Sequence, residues 1–162
     1  ASDAATKKIG KSIPPASAAL AAPSARLNLD EVMKGLFQHT AITHGIAVRV
    51  AVSFLPEQSQ PQAGKWFWIY HIRIENHSHT SVALRTRHWR ITDARGQVAI
   101  VDGDGVVGEQ PVIAPGRSHD YVSGCPLDTP HGSMEGFYTF EDEDGDPLEV
   151  RIPFFPLAAP AT

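Results

Sequence analysis

WFWIYHIRIEN, residues 66–76, decides the fold class. Taken two by two, Trp66, Trp68, Tyr70, Ile72 and Ile74 fall on one side. Phe67, Ile69, His71, Arg73 and Glu75 fall on the other, and this second set turns polar toward its end. A period of two belongs to an extended strand with one face in a core, because successive side chains of a strand point to opposite faces. GIAVRVAVSF, residues 45–54, has the same period: Ile46, Val48, Val50, Val52 and Phe54 against Ala47, Arg49, Ala51 and Ser53. Further strands are expected at SVALRTRHWRITD (81–93), GQVAIVD (96–102), SHDYVSG (118–124), MEGFYTFED (134–142) and PLEVRIPFF (147–155). In the first of these the apolar parity slips, even at Val82 and Leu84 but odd at Trp89 and Ile91, which predicts a bulge near Thr86 and Arg87. Turn chemistry at Asp93-Ala94-Arg95-Gly96, Ala114-Pro115-Gly116 and Asp144-Gly145 separates the strands. About seven short strands, with hardly a helical pattern among them, predict an all-β fold: an antiparallel β-sandwich of immunoglobulin or fibronectin type III kind.

The 162 residues are 42% hydrophobic, enough for one domain with a real core. A net charge of −4 leaves no basic field of the kind that draws nucleic acid. The apolar runs fall far short of the ~20 residues a membrane-spanning helix needs. Cys125 is the single cysteine, so no intrachain disulfide can form and a reducing compartment fits.

The composition divides the chain into an N-terminal extension (1–40), the β domain (41–157) and a tail (158–162). Residues 1–26 are rich in Ala, Ser and Pro and carry little apolar surface, so this arm is expected to be flexible on its own. In LNLDEVMKGLF, residues 27–37, Leu29, Val32, Met33, Leu36 and Phe37 form the stripe of a short amphipathic helix with Asn28 as N-cap. That stripe is a candidate partner-binding face. Residues 1–40 carry five cations against three carboxylates, a net of +2, which leaves the remainder at −6. This asymmetry points to docking rather than catalysis. The chain opens on Ala1 rather than Met, so a removed leader is an expectation; it favours the mitochondrial matrix, with the cytoplasm as the alternative.

Gly103, Gly105 and Gly108 stand in the spacing G-x-G-x-x-G within VDGDGVVGEQP. A dinucleotide loop must open a helix onto the pyrophosphate, and Pro111 and Pro115 forbid that helix. The glycines are expected to supply positive φ, a bulge or close strand approach; an anion-binding nest is the functional alternative, opposed by Asp102, Asp104 and Glu109. His77-Ser78-His79 has no third ligand at metal spacing and reads as a turn. EDEDGDP (141–147) lacks the closing Glu of a calcium loop and reads as a hairpin. No metal and no cofactor are expected. Cys125 reads as a small buried thiol. In Arg87-His88-Trp89 neighbours alternate faces, with Trp89 in the core and Arg87 and His88 at a corner or facing solvent. No nucleophile is paired with a base.

GVVGEQPVIAPG followed by YVSGCPLDTPHGSMEGFYTFEDEDG, with RHWRITDARGQV, ITHGIAV and FLPEQS, resembles the bacterial ApaG family over about residues 42–157. The resemblance implies a fibronectin type III-like sandwich with no established enzymatic activity. Some members are associated with cobalt resistance and magnesium efflux. Related eukaryotic domains are thought to bind proteins, and pyrophosphate has been suggested at the glycine motif, here Gly103, Gly105 and Gly108. The arm of about 40 residues is a departure from the short bacterial members. The expected function is a non-catalytic protein–protein interaction module, an accessory subunit of a larger assembly, mitochondrial or cytoplasmic, held by the arm. The alternative is binding of a phosphate compound or divalent cation.

Overall fold

The computed structural model describes residues 37–160. The stripe residues Leu29, Val32, Met33 and Leu36 lie outside the described residues. Phe37 is not helical: the amide of the next residue, Gln38, already donates to Val50 O (3.1 Å) and so extends a strand ladder.

The strands are β1 (His39–Thr43), β2 (Ile46–Phe54), β3 (Trp66–Asn76), β4 (Val82–Asp93), β5 (Val98–Asp104), β6 (Val112–Ile113), β7 (Ser118–Leu127), β8 (His131–Glu141) and β9 (Pro147–Ala158). One sheet runs β1-β2-β3-β7. The other runs β5-β4-β8-β9, with β6 beside β4. All the pairings are antiparallel. The fold is therefore the expected all-β sandwich. β1 and the two-residue β6 are additions to the strands read from the sequence.

Alternation in β3 sets the core. Trp68, Tyr70, Ile72 and Ile74 are buried with Val48 and Val50 of β2. The second sheet answers with Leu84, Trp89, Tyr138, Phe140, Val150, Ile152 and Phe155. Each large apolar side chain so removed from water contributes about 1.5–3 kcal/mol. On the opposite face of β3, Phe67 is also buried, within a small satellite cluster of Leu55, Ile69 and Val122.

The register of β4 against β8 shifts between Leu84 and Thr86, so the bulge sits at Arg85, just before the expected position. Beyond it the inward parity is odd, which carries Trp89 into the core and Arg87 with it. The expectation that Arg87 faces solvent is corrected here, since the extra residue at the bulge turns its side chain inward; its alternative, support of a corner, agrees with the guanidinium donating to Asp104 O and Gly105 O where β5 ends.

The hairpins β4–β5 and β8–β9 are closed by one device. Asp93 Oδ1 accepts from the amides of Arg95 and Gln97, each at 2.9 Å, and Asp93 O accepts from Gly96 N (3.1 Å). Asp142 Oδ1 likewise accepts from Asp144 and Asp146, each at 2.9 Å, and Asp142 O from Gly145 N (3.0 Å). One flank of the sandwich is stitched together. The Arg151 amide donates to Thr43 Oγ1 across β9 and β1 (3.1 Å), and Trp68 Nε1 donates to Ala158 O (3.2 Å). The other flank lies between the end strands β5 and β7.

Candidate functional site

The glycine motif runs from the end of β5 into a tight hairpin. Val106 N donates to Glu109 O (2.8 Å) and Glu109 N to Val106 O (3.0 Å), so Val107 and Gly108 form a two-residue turn with φ of 45° and 78°. Two successive positive φ values define a type I′ turn, which matches strand twist. Gly105, at φ +64°, donates its amide to Arg85 O (2.8 Å), and a Cβ there would lie 2.2 Å from Glu109 O. Gly103 has no such backbone demand; a Cβ there would lie 2.7 Å from the guanidinium nitrogens of Arg87. The three glycines thus serve three separate steric needs. The amides of Gly105, Val106 and Glu109 are occupied by carbonyls. After the turn the chain enters β6, and no helix opens there.

Behind Gly103, Arg87 Nη1 donates to the carbonyls of Asp104 and Gly105, each at 3.0 Å. Its charge also acts on Tyr70, Tyr121 and Tyr138, and the hydroxyls of Tyr121 and Tyr138 are hydrogen-bonded to each other. Burial pushes all three phenols above their ordinary range. Cys125 is 2% exposed, and burial pushes its thiol up to about 12. A thiol in that state is not a nucleophile at neutral pH.

On the outer face of the same sheet, His88 Nδ1 meets Asp102 Oδ1 at 2.6 Å and its ring stacks on Phe137, with centroids 4.7 Å apart. His88 therefore faces outward as expected, away from Trp89. His77 pairs with Glu75 (2.9 Å), and Asn76 Oδ1 accepts from Ser78 N (2.9 Å), so NHSHTS is the turn its composition predicts. In the β8–β9 turn, Asp142, Asp144 and Asp146 each bring a carboxylate oxygen within 4.8 Å of the others. The 93–97 turn adopts the same hydrogen bonds with one carboxylate, so the turn's geometry comes from its Asp and Gly positions.

Phe37, the one described residue of the stripe, lies edge-on to His71 (centroids 5.2 Å apart), with Arg73 5.8 Å from its ring centroid. His71 and Arg73 both hold Asp120 Oδ1, at 2.9 and 3.0 Å.

The feature missed in the sequence is the free edge of β5, beside a flank that is held at one end by the Ala94 amide donating to Thr129 Oγ1 (3.1 Å) and inside by the Tyr121–Tyr138 hydroxyl pair. Val98 and Ile100 of β5 are 42% and 41% exposed, and no described strand pairs the outer edge of β5. Between β5 and β7 opens a cavity of about 340 Å³. Ala99 and Val101 line one side and Gly124 to Leu127 the other, with Tyr70 and Trp89 also in its wall. The strand itself is legible in GQVAIVD, but its hydrophobicity gives no sign that one of its neighbours is missing.

A sandwich with these hairpins defines a class before it defines a protein: a fibronectin-like domain whose distinctive element is the glycine hairpin. A family described as the ApaG domain matches residues 56–142. Proteins named ApaG from Rhodospirillum centenum and Sinorhizobium fredii are 49% and 50% identical over 122 residues, 75% of this chain and 94% of each relative. A crystal structure of a Bordetella pertussis protein named ApaA superposes with a TM-score of 0.70 at 43% identity, covering 75% of this chain and 99% of that one. The chain belongs to the ApaG family.

Proposed function

We propose that this chain is a non-catalytic interaction module whose free β5 edge receives a partner protein, in an accessory role within a larger assembly. The single observation that carries this reading is the unpaired edge of β5 (Val98–Asp104), apolar at Val98–Val101, next to an open cavity. Exposed edges of this kind are the usual template for pairing with another chain. The chemistry of the interior agrees with it. Cys125 and the three tyrosines are buried with their acidities suppressed, and the His88–Asp102 pair stacks on Phe137 with no hydroxyl or thiol nucleophile hydrogen-bonded to it among the described residues. The proposed setting is the mitochondrial matrix or the cytoplasm.

The test is co-purification from native cells after cross-linking. Ile100→Lys, which places a charge on the exposed edge, should strip the partner while leaving the circular dichroism unchanged. Undiminished recovery of the partner sinks the reading. Calorimetry of the same chain with pyrophosphate, nucleotides, magnesium and cobalt tests the rival ligand-binding role, for which binding heat would be required.

A further inference from the structure

The free edge also states what kind of segment it fits, an inference that rests on the interaction reading above. The amide of Asp93 donates to Gln97 O (2.9 Å) and that of Gly105 to Arg85 O (2.8 Å), so the odd-numbered positions of β5 are the ones bonded to β4. Bonded and non-bonded pairs alternate along an antiparallel ladder. Val98, Ile100 and Asp102, opposite Thr92, Arg90 and His88, therefore turn their N–H and C=O groups outward, toward the open flank. Ala99 and Val101 point into the cavity, opposite Ile91 and Trp89. A strand added about 4.8 Å beyond β5 would lie over the gap toward β7 and send every second side chain into that cavity.

The cavity wall is largely apolar: Tyr70, Trp89, Val101, Cys125, Leu127 and Met134 contribute to it. Its charged members are Asp93 and Asp128, and it contains no Lys, Arg or His. β5 adds Asp102 and Asp104, while Arg90 lies beside Ile100 on the outer face and Arg95 in the adjoining turn. We infer that the edge binds an extended peptide segment of a partner protein by strand addition, with one large apolar side chain anchored between β5 and β7 and Lys or Arg beside that anchor. Main-chain bonds to Val98, Ile100 and Asp102 supply binding, and the anchor with its basic neighbours supplies selection.

Ile100→Pro separates strand addition from folding. Its lost N–H points to the free edge, and proline is tolerated at edge positions of this kind. The experiment selects random decapeptides by display against the full 162-residue chain and measures the affinity of the enriched synthetic peptides. The expected result is a motif with an apolar residue and Lys or Arg within two positions of it. Binding should weaken at least tenfold in Ile100→Pro and several-fold in Asp128→Lys. Val98→Lys should reproduce the first loss should the proline variant fail to fold. No enrichment, acidic or PxxP-type motifs, or an affinity indifferent to these edge variants overturns the inference. If Ile100→Lys strips the cellular partner while the selected motif is neither apolar nor basic, the interaction reading stands and the peptide class falls alone.

Discussion

Alanine placed in turn at Gly103, Gly105 and Gly108 should give three different penalties, because each glycine answers a different demand. At Gly108 the only cost is holding an L-residue at φ +78° with nothing within 4 Å of the new Cβ, which is about 1 kcal/mol. At Gly103 the backbone is ordinary, but the methyl would displace a guanidinium that donates to two carbonyls. Losing one such charge-assisted bond from a buried site costs about 1.5–3 kcal/mol. Gly105 combines positive φ with a Cβ 2.2 Å from a backbone carbonyl oxygen that cannot rotate away without opening the hairpin. A strained backbone of about 1–2 kcal/mol plus overpacking of about 1–3 kcal/mol gives about 3 kcal/mol or more. Urea denaturation with a common m-value measures the series, and in thermal melts each kcal/mol should appear as about 3–5 °C. The predicted order is Gly105 above Gly103 above Gly108. Equal penalties, or Gly108 as the most costly, would refute the assignment of separate steric roles.

Three further outcomes follow from the same structure. Cys125 should react with a disulfide reagent at pH 8 roughly a hundredfold or more slowly than a free thiol, and at the free rate once the chain is unfolded, since burial holds its thiol up at about 12. Burial opposes ionisation of Asp120, but hydrogen bonds from His71 and Arg73 and their charge outweigh it and hold its carboxyl below the usual range. A depressed folded value means stability that is present above the ordinary carboxylate pKa of about 4 and lost as pH falls through the lower one. Asp120→Asn should therefore be less stable than the native chain at pH 7, with the gap closing on acidification; a gap independent of pH would count against the ion pairs. In hydrogen exchange the amides of Ala99, Val101 and Gly103 should be slow and those of Val98, Ile100 and Asp102 fast, by on the order of 100-fold. The reverse pattern would invert the register of the free edge.

Legibility of the sequence followed the strength of its periodicity. β2 and β3 are long and buried on one face, so their alternation announces them, and even the bulge could be placed to within about two residues from the slipped parity of Val82, Leu84, Trp89 and Ile91. β1, HTAIT, is too short and mixed to alternate visibly. β6 is two residues between prolines and exists only because β4 offers it a partner. That Arg87 is buried was not legible, because a charged strand residue normally faces water, whereas here Gly103 leaves the room and two carbonyls receive the guanidinium. That GVVGE is a turn could be read from Gly108 and Pro111; the separate tasks of its glycines depend on contacts with Arg87 and Glu109 that spacing does not encode. The candidate edge was the least legible feature, since the absence of a neighbouring strand leaves no mark on VAIV itself.

The two flanks of the sandwich are closed by different means. Thr43 bonded to Arg151 and Trp68 to Ala158 fasten β9 to the first sheet, while on the β5–β7 side the Tyr121 and Tyr138 hydroxyls meet and the Ala94 amide donates to Thr129 Oγ1. A segment added along β5 would therefore meet two layers already joined on either side of it, so little ordering of the host is left for the guest to bring about.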